Sequence, residues 1–557
     1  MDIYTGFALF GLVVTLIVGF ASYASQRKGA SNDIKWLSAI GSFIEKHYLI
    51  FLLLIFAAYV VTRIFRLESF PNGLHVDEFA VAVDAKSMLL NGTDRWGLRH
   101  PAYFYDYGNG QSALYVYFLA FLLKFLPSTI FVLRFPAVFF GGVALFAMYG
   151  ICLEITKNKG FALIGPILVT TLPVYFMSER WCLDAYLFLP TSIIAMYFII
   201  RAIVHEKWYD YLLAGTWIGV SMYTYAVSYM VWPIFLLCSA IYLIYLKKIT
   251  LKQFVIFAVP LGILATPQIL YQLVNFRIVE PFYFLISDYT PLPLSRGQEL
   301  SVKYIWGNIL YIKKMFLGGD DLVYNAFPEF GTIYMFLLPF VFAGFIICIK
   351  DIVTSVKKKE FSISALLIFF WLGGTAFMLL VQYSNVNRVN ELFMPFLLFI
   401  VVAVHRLFSR RALTLLWLTA WTGASFLFFM YFYFCVQNSV YGYHLLHTSA
   451  TPGKAIVRCE RQYLKDENTK IYVQFEDHTI SPREQVFYFA AQPGDVYDPD
   501  DPTYGNVSGV LPEELDVNEN AVYIIGDPWP HIISYLISEG FAADQTLPGY
   551  SILYRPN

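Results

Sequence analysis

Charged residues are scarce in this 557-residue chain, at 14% against about 25% in soluble globular proteins. The net charge is -1, so the chain lacks the basic field that nucleic acid binding requires. The six cysteines show no CxxC pair and no zinc-type spacing. The sequence also has no P-loop, no GxGxxG motif after a predicted strand and no HExxH motif. These absences give no support to a nucleotide-binding, dinucleotide-binding or zinc-protease function.

Apolar residues are abundant instead, at 58% hydrophobic and 19% aromatic, which indicates a surface that faces lipid. A membrane-spanning helix needs about 20 mostly apolar residues. The sequence predicts about twelve spans and an α-helical polytopic membrane protein. The predicted spans are 3–20, 48–65, 131–152, 161–177, 185–204, 209–225, 227–246, 252–272, 332–350, 361–381, 391–408 and 412–435.

Three regions follow from this pattern. Residues 1–47 are predicted to be a signal-anchor span and a cytoplasmic linker, because Arg27 and Lys28 follow the apolar segment instead of preceding it. Residues 48–435 form the predicted transmembrane domain. Residues 436–557 are polar, with strand-like runs at 471–473, 521–525 and 551–554 and a helix at 531–540, and they predict a small extracytoplasmic α/β domain.

Lysine and arginine set the predicted orientation, because they concentrate in cytoplasmic loops. If 48–65 runs outward, all the lysine- and arginine-rich short loops lie inside, whereas the short outer loops 178–184 and 382–390 contain one arginine each. The two large outer regions are then 66–130 and 273–331. The apolar stretch 112–126 is too short for a span and is predicted to be an interfacial helix.

The first candidate site is His75-Val76-Asp77-Glu78, in the first outer region. Apolar residues at helical spacing predict an amphipathic helix over 74–90 at the membrane interface, with Asp77 and Asp84 on one face. Two adjacent carboxylates near a bilayer can hold a proton or a cation, which suits a general base or a metal site. The alternative is a helix N-terminus at which acidic residues favour the macrodipole.

The two short outer loops supply further candidates. Arg180 and Asp184 either face a polar cavity or form an ion pair that caps the next helix. Arg388 is suited to a phosphate at headgroup depth, or alternatively contacts lipid headgroups. Arg134 opens the span 131–152 and could pair with a carboxylate of an outer loop.

Taken in chain order, these features resemble the GT-C superfamily of glycosyltransferases that use polyprenyl-phosphate sugars. The nearest branch is similar to family 39, the protein mannosyltransferases, with the aminoarabinose transferases as relatives. The resemblance covers about 48–435. It rests on 75–78, on Gly110-Gln111-Ser112-Ala113-Leu114-Tyr115-Val116-Tyr117, on Leu133-Arg134-Phe135-Pro136-Ala137, on Arg180 with Asp184, and on Arg388 through Pro395. Val389 departs from the Tyr that often follows the late arginine, and no MIR-type domain is present.

The resemblance implies a GT-C-like bundle that transfers a hexose or pentose from a lipid phosphate, with inversion. By position, Asp77 would be the general base. Glu78 would pair with Arg134 and hold the loop, and Asp184 would be the second carboxylate, which orients the acceptor. No cofactor is certain. A divalent metal is an open alternative, with Asp77 and Asp184 as its ligands.

The implied partners are a polyprenyl-phosphate-linked sugar, an acceptor in the cell envelope and the lipid bilayer, with no nucleic acid. Arg388, together with Arg180, would bind the donor phosphate. The absence of a MIR-type domain favours an envelope glycan over a protein acceptor. Two other functions stay open: a transporter or flippase for a lipid-linked saccharide, and a non-catalytic assembly protein. A transporter predicts internal repeats and interrupted helices, and the sequence shows little of either.

Overall fold

The computed structural model of the chain describes residues 6, 9–17, 35–71, 74–106, 109–293, 299–408, 411–437 and most of 455–556. Within the last stretch the description omits 457, 460–461, 465–468, 475–480, 499–502, 505, 511–516, 518–519, 527–528 and 547–549. Much of the predicted anchor and linker at 1–47 therefore lies outside the described residues.

Helices dominate the described part of the chain. Their bounds are α1 Lys35–Lys46, α2 Tyr48–Ile64, α3 Val76–Asn91, α4 Ala113–Leu123, α5 Ile130–Thr156, α6 Ile164–Thr171, α7 Pro173–Ser178, α8 Ala185–His205, α9 Trp208–Ser221, α10 Ser228–Tyr245, α11 Leu251–Asn275, α12 Ile305–Leu317, α13 Leu338–Lys358, α14 Ile363–Leu380, α15 Phe393–Leu407, α16 Arg411–Tyr431, α17 Ser481–Ala490 and α18 Pro530–Ser538. Short 3-10 turns precede α6, α12, α13 and α15, and a π-helical turn follows α16.

Eight of the described helical segments are long and apolar enough to cross a membrane, and the bent pair 38–46 and 48–64 would make a ninth. These eight coincide with eight of the twelve predicted spans. Of the other four, 3–20 is described only at residues 6 and 9–17, 48–65 is the second half of the bent pair, and 209–225 is the 14-residue helix α9.

The predicted single span at 161–177 is corrected by the structure. It is broken into the 3-10 turn Phe161–Leu163 and the short helices α6 and α7. The break falls at Leu172, whose backbone is extended, with ψ at 135°. The next residue is Pro173, and the residue before a proline is sterically driven out of the helical region.

The predicted interfacial helix at 74–90 exists as α3, but its position differs from the prediction. Ten of its sixteen residues are buried, because α4 covers one side and α17 of the C-terminal region covers another. Val83 belongs to the same apolar core as Val486 and Phe487. Asn91 Nδ2 donates a hydrogen bond to the Asp495 carbonyl over 2.9 Å. The C-terminal domain therefore packs directly against the helix that begins at the acidic motif.

The C-terminal region forms a six-stranded sheet. Its strands are β5 Lys470–Gln474, β6 Thr503–Tyr504, β7 Val507–Val510, β8 Ala521–Gly526, β9 Ala542–Asp544 and β10 Tyr550–Tyr554. They lie in the order β6-β7-β5-β8-β10-β9. Strand β5 pairs in parallel with β7 and β8, and the remaining pairs are antiparallel. The three predicted strand runs are confirmed as parts of β5, β8 and β10, and the predicted helix is α18. Two hairpins lie between the helices of the bundle: β1 Tyr103–Asp106 with β2 Asn109–Ser112, and β3 Phe282–Phe284 with β4 Ser287–Tyr289.

Candidate active site

The acidic motif forms the N-terminus of α3. His75 precedes the helix with an extended backbone, and its Nδ1 accepts a hydrogen bond from the Asp77 N–H over 3.2 Å. In return, Glu78 Oε2 accepts one from the His75 N–H over 2.9 Å. This reciprocal arrangement is a capping box, which satisfies N–H groups that a helix start leaves free. It also directs the two adjacent carboxylates differently, because the Asp77 side chain is 45% exposed and the Glu78 side chain is fully buried.

Glu78 is bound by Arg134 of α5. The Arg134 Nε and Nη2 donate to the two Glu78 oxygens over 2.9 and 3.0 Å, and Arg134 Nη1 donates to the carbonyls of Leu67 and Pro71. The Cys182 N–H also donates to Glu78 Oε1 over 3.0 Å. This buried pair therefore joins α3, α5 and the loops at 65–71 and 178–184, so it fixes the start of the helix that carries Asp77.

Arg180 is fully buried and its guanidinium is bound by the chain itself. Its Nη1 donates to the carbonyls of Thr62 and Arg63, and its Nη2 donates to those of Phe65 and Phe70. The structure does not bring Arg180 to the cavity that contains Arg388. Arg180 therefore holds the end of α2 and the loop after it through hydrogen bonds to their carbonyls. This geometry gives no support to phosphate binding by Arg180.

Asp184 lies immediately before α8 and is almost entirely buried. Its Oδ1 accepts from the Ala185 N–H over 2.7 Å, and its Oδ2 accepts from the Ser112 N–H over 2.9 Å. Ser112 ends β2 and is the residue before α4. Asp184 therefore connects the start of α8 to the segment 110–112.

Asp77 lies among aromatic side chains. The His75 ring centroid is 5.4 Å from that of Tyr324, and Trp181 is 5.6 Å from Tyr324. Burial first, then the negative charges of Asp77 and Asp320, raise the pKa of Tyr324. Asp77 is therefore close enough to Tyr324 for its charge to act on the phenol.

A buried aspartate that the sequence analysis did not single out, Asp320, lies between this region and the loop of Arg388. Its Oδ2 accepts from Asn325 Nδ2 over 3.0 Å and from the Val386 N–H over 2.7 Å. Asn325 Oδ1 in turn accepts from the Tyr186 hydroxyl over 2.5 Å. Asp77 is close enough to Tyr186 to act on it electrostatically. One hydrogen-bonded chain therefore extends from the neighbourhood of Asp77 to the backbone two residues before Arg388.

The turn before Asp320 requires glycine at position 319. The two adjacent glycines before Asp320 are the sequence pattern that indicates a tight turn at this point. Gly319 has φ +70°, and a Cβ there would lie 2.7 Å from the Ala326 carbonyl oxygen. Burial raises the pKa of Asp320, and its hydrogen bonds from Val386 and Asn325 oppose that rise. The run Gly318-Gly319-Asp320-Asp321 is thus a tight turn that directs a carboxylate inward.

Arg388 lines a cavity of about 400 Å³ whose other walls are mostly aromatic and apolar. Its Nη1 is 3.0 Å from Glu299 Oε2 and also donates to the Gln382 carbonyl. The cavity is bounded by the loop before α10, the end of α11, the end of α14 and the segment around Glu299. Its lining residues are Tyr103, Tyr225, Ala226, Val227, Tyr229, Met230, Tyr271, Gln272, Asn275, Phe276, Leu292, Glu299, Leu300, Phe377, Val381 and Arg388.

Asp84 does not join Asp77, although the two share a helix face in sequence. It is fully buried, and Arg95 binds it through both its backbone N–H and its guanidinium, over 3.1 and 3.2 Å. Gln111 Nε2 donates to the same carboxylate over 3.1 Å. Within the described residues, no group of three or more His, Cys, Asp or Glu side chains is arranged to hold a metal ion. The candidate metal pair of Asp77 and Asp184 therefore gains no third ligand from that part of the chain.

Comparison with known proteins was made by sequence family and by fold. The family model described as dolichyl-phosphate-mannose-protein mannosyltransferase matches residues 111–271. A search of curated protein sequences finds no match. Among solved structures, ArnT from Cupriavidus metallidurans in the apo state aligns with a TM-score of 0.50 at 9% identity, over 91% of this chain and 99% of ArnT.

Two further structures align less well. ArnT from the same organism bound to undecaprenyl phosphate gives a TM-score of 0.49 at 11% identity, with the same coverage. The archaeal oligosaccharyltransferase AglB from Archaeoglobus fulgidus, in complex with an inhibitory peptide and a dolichol-phosphate, gives 0.38 at 14% identity over 65% of this chain and 50% of AglB.

The chain is a multi-pass membrane protein with the GT-C fold and a small C-terminal sheet domain. The resemblance to the GT-C superfamily that the sequence suggested is confirmed by the family match and by this fold.

Proposed function

We propose that this protein is a glycosyltransferase that moves one sugar from a polyprenyl-phosphate donor to an acceptor hydroxyl in the cell envelope, with inversion. The observation that carries the proposal is a half-exposed carboxylate, Asp77, whose charge acts on Tyr186. From Tyr186, hydrogen bonds run through Asn325 and Asp320 to the Val386 N–H, two residues before Arg388, which lines the cavity. The family match to dolichyl-phosphate-mannose enzymes agrees with a lipid phosphate donor.

Asp77 is the proposed general base. It lies on a helix start that the buried Glu78–Arg134 pair holds fixed, and its own carboxylate is 45% exposed and so within reach of a substrate. An inverting displacement needs one base on the face of the sugar opposite the leaving group. Asp77 takes the proton of the acceptor hydroxyl, whose oxygen forms the new bond to the anomeric carbon.

Arg388 is the proposed partner of the leaving group. As the new bond forms, the bond between the anomeric carbon and the phosphate oxygen breaks, and its electron pair stays on the lipid phosphate. That leaving group needs no protonation but gains from a cation, and a guanidinium matches phosphate geometry. The aromatic and apolar walls of the cavity suit the first isoprene units of the donor.

Asp184 is proposed to orient the acceptor indirectly. Its hydrogen bond to the Ser112 N–H fixes the segment 110–112 relative to α8. The charge distribution of the loops supports an active site on the extracytoplasmic face, since the lysine- and arginine-rich loops lie at the opposite ends of the predicted spans. The C-terminal domain, packed on α3, lies on the same side in this proposal.

The test begins with the lipid that copurifies with the full chain, identified by mass spectrometry after gentle solubilisation. Transfer of its sugar to envelope fractions is then measured for the wild type and for Asp77→Asn. We expect D77N to lose transfer by at least about 10²-fold, the usual scale for a general base, while it still copurifies with the same lipid. Full transfer by D77N would remove Asp77 from the mechanism. Absence of any lipid-linked sugar would count against a transferase that uses such donors.

A further inference from the structure

The cavity beside Arg388 contains a carboxylate as well as the guanidinium. Among its described lining residues, Glu299 and Arg388 are the two that carry charge. Glu299 Oε2 is 3.0 Å from Arg388 Nη1, and the two side chains are 25% and 26% exposed. The arginine proposed to bind a phosphate is therefore already bound to an anion of the chain itself.

The backbone holds Glu299 in this position. Its carbonyl accepts a hydrogen bond from the Gln382 N–H over 2.9 Å, and the Ser301 N–H donates to the Leu380 carbonyl over 2.8 Å. Leu300 forms a β-bridge with Val381 between these two bonds. Arg388 itself donates to the Gln382 carbonyl. Glu299 and Arg388 are thus both held by the same short segment, 380–382, so the backbone fixes their positions in the cavity.

A phosphate can reach Arg388 in this cavity only beside Glu299 or in its place. The two forms of the lipid differ in charge: the sugar-linked donor is a phosphodiester with one negative charge, whereas the lipid phosphate released is a monoester with about -1.5 to -2 at neutral pH. Repulsion from a fixed carboxylate grows with the charge of the ligand. Glu299 therefore disfavours the monoester product more than the diester donor.

We propose that Glu299 is a specificity-determining residue that competes with the lipid phosphate for Arg388, admits a phosphodiester and expels the phosphomonoester product. This inference rests on the proposed phosphate-binding role of Arg388. It predicts a gain of affinity when the carboxylate is removed, which is the opposite of what loss of a merely supporting residue would produce.

The experiment uses the full chain in detergent and two probes with the same tail: farnesyl phosphate, a monoester, and its methyl ester, a diester with one charge. Dissociation constants are measured by isothermal titration calorimetry. We expect E299Q to bind farnesyl phosphate roughly fivefold to tenfold more tightly than the wild type, the scale of a partly exposed charge pair. The methyl ester should change by less than about twofold. E299A should shift in the same direction, and E299D should keep the preference of the wild type.

Two controls separate the outcomes. The variant D351N removes a carboxylate from another partly exposed ion pair, in which Asp351 Oδ2 is 3.3 Å from Arg406 Nη2. This pair does not line the cavity, so D351N should leave the dissociation constants of both probes unchanged. R388Q should weaken both probes. If R388Q has no effect, the phosphate-binding role in the proposed function fails. If R388Q weakens binding but E299Q and E299A leave farnesyl phosphate unchanged or weaker, the role of Glu299 alone is overturned.

Discussion

The buried Glu78–Arg134 pair offers the sharpest test of how the acidic motif is held. Both side chains are fully buried and bound by two hydrogen bonds of 2.9 and 3.0 Å. Removing one partner of such a pair leaves an uncompensated charge and costs about 3–5 kcal/mol, whereas replacing both with apolar residues costs far less. The test therefore compares E78M, R134M and the double variant E78M/R134M.

Each single variant leaves one buried charge with neutral neighbours only in part able to stabilise it. In R134M, the Glu78 carboxylate loses the guanidinium and keeps the backbone N–H groups of His75 and Cys182, which are neutral. In E78M, the guanidinium loses its carboxylate and keeps the carbonyls of Leu67 and Pro71 and the ring of Trp181, none of which is charged. Neither set neutralises the charge, so we expect each single variant to lose most of the 3–5 kcal/mol. The double variant should lose clearly less than the sum of the two, because neither charge remains.

The assay is the apparent melting temperature of the purified chain in detergent. A protein of 150–250 residues loses about 2–4 °C per kcal/mol and a longer chain loses less, so we expect each single variant to melt roughly 3–8 °C lower. D351N, from the more exposed Arg406 pair, should shift by about 1 °C or less, in line with the small contribution of exposed pairs. Additive losses in the double variant, or single variants that melt like the wild type, would refute the reasoning.

Three further predictions concern other parts of the structure. R180M should lower the melting temperature because four backbone carbonyls lose their hydrogen-bond donor. Its affinity for farnesyl phosphate should stay within about twofold of the wild type, and a large loss of affinity would show that Arg180 binds the phosphate after all. Burial first, then the charge of Asp84, raises the pKa of Asp94 to about 7. Asp94 therefore holds its proton more tightly in the folded protein than in the unfolded protein. Its contribution to the free energy of unfolding accordingly falls as the pH rises from about 4 to 7. D94N should therefore gain melting temperature relative to the wild type as pH rises from 5 to 8, and a gain independent of pH would contradict this. G319A should destabilise the turn by at least about 1–2 kcal/mol because of its positive φ, and transfer should fall with it if that turn positions Asp320.

Several features of the fold were predictable because they depend on local pattern. Eight spans follow from length and hydropathy, and the strands β5, β8 and β10 follow from alternating apolar runs between turn residues. The prediction failed at 161–177, where hydropathy is continuous but Pro173 breaks the helix. It also failed for the environment of α3, because a covering partner 400 residues later in the chain leaves no local signal in the helix itself.

The sequence by itself determined that Asp77 and Glu78 begin a helix and that both belong to one acidic motif. Helical spacing alone does not decide which of them is buried, because neighbours on a helix point about 100° apart and only packing decides which direction faces the core. The pairing of Glu78 with Arg134 was implied only by the resemblance to the GT-C superfamily. Arg134 and the Cys182 N–H bind Glu78, and Asp77 is left half-exposed. The pairing of Glu299 with Arg388 is likewise a product of the tertiary structure, since a backbone bridge between 300 and 381 brings together two side chains that are far apart along the chain.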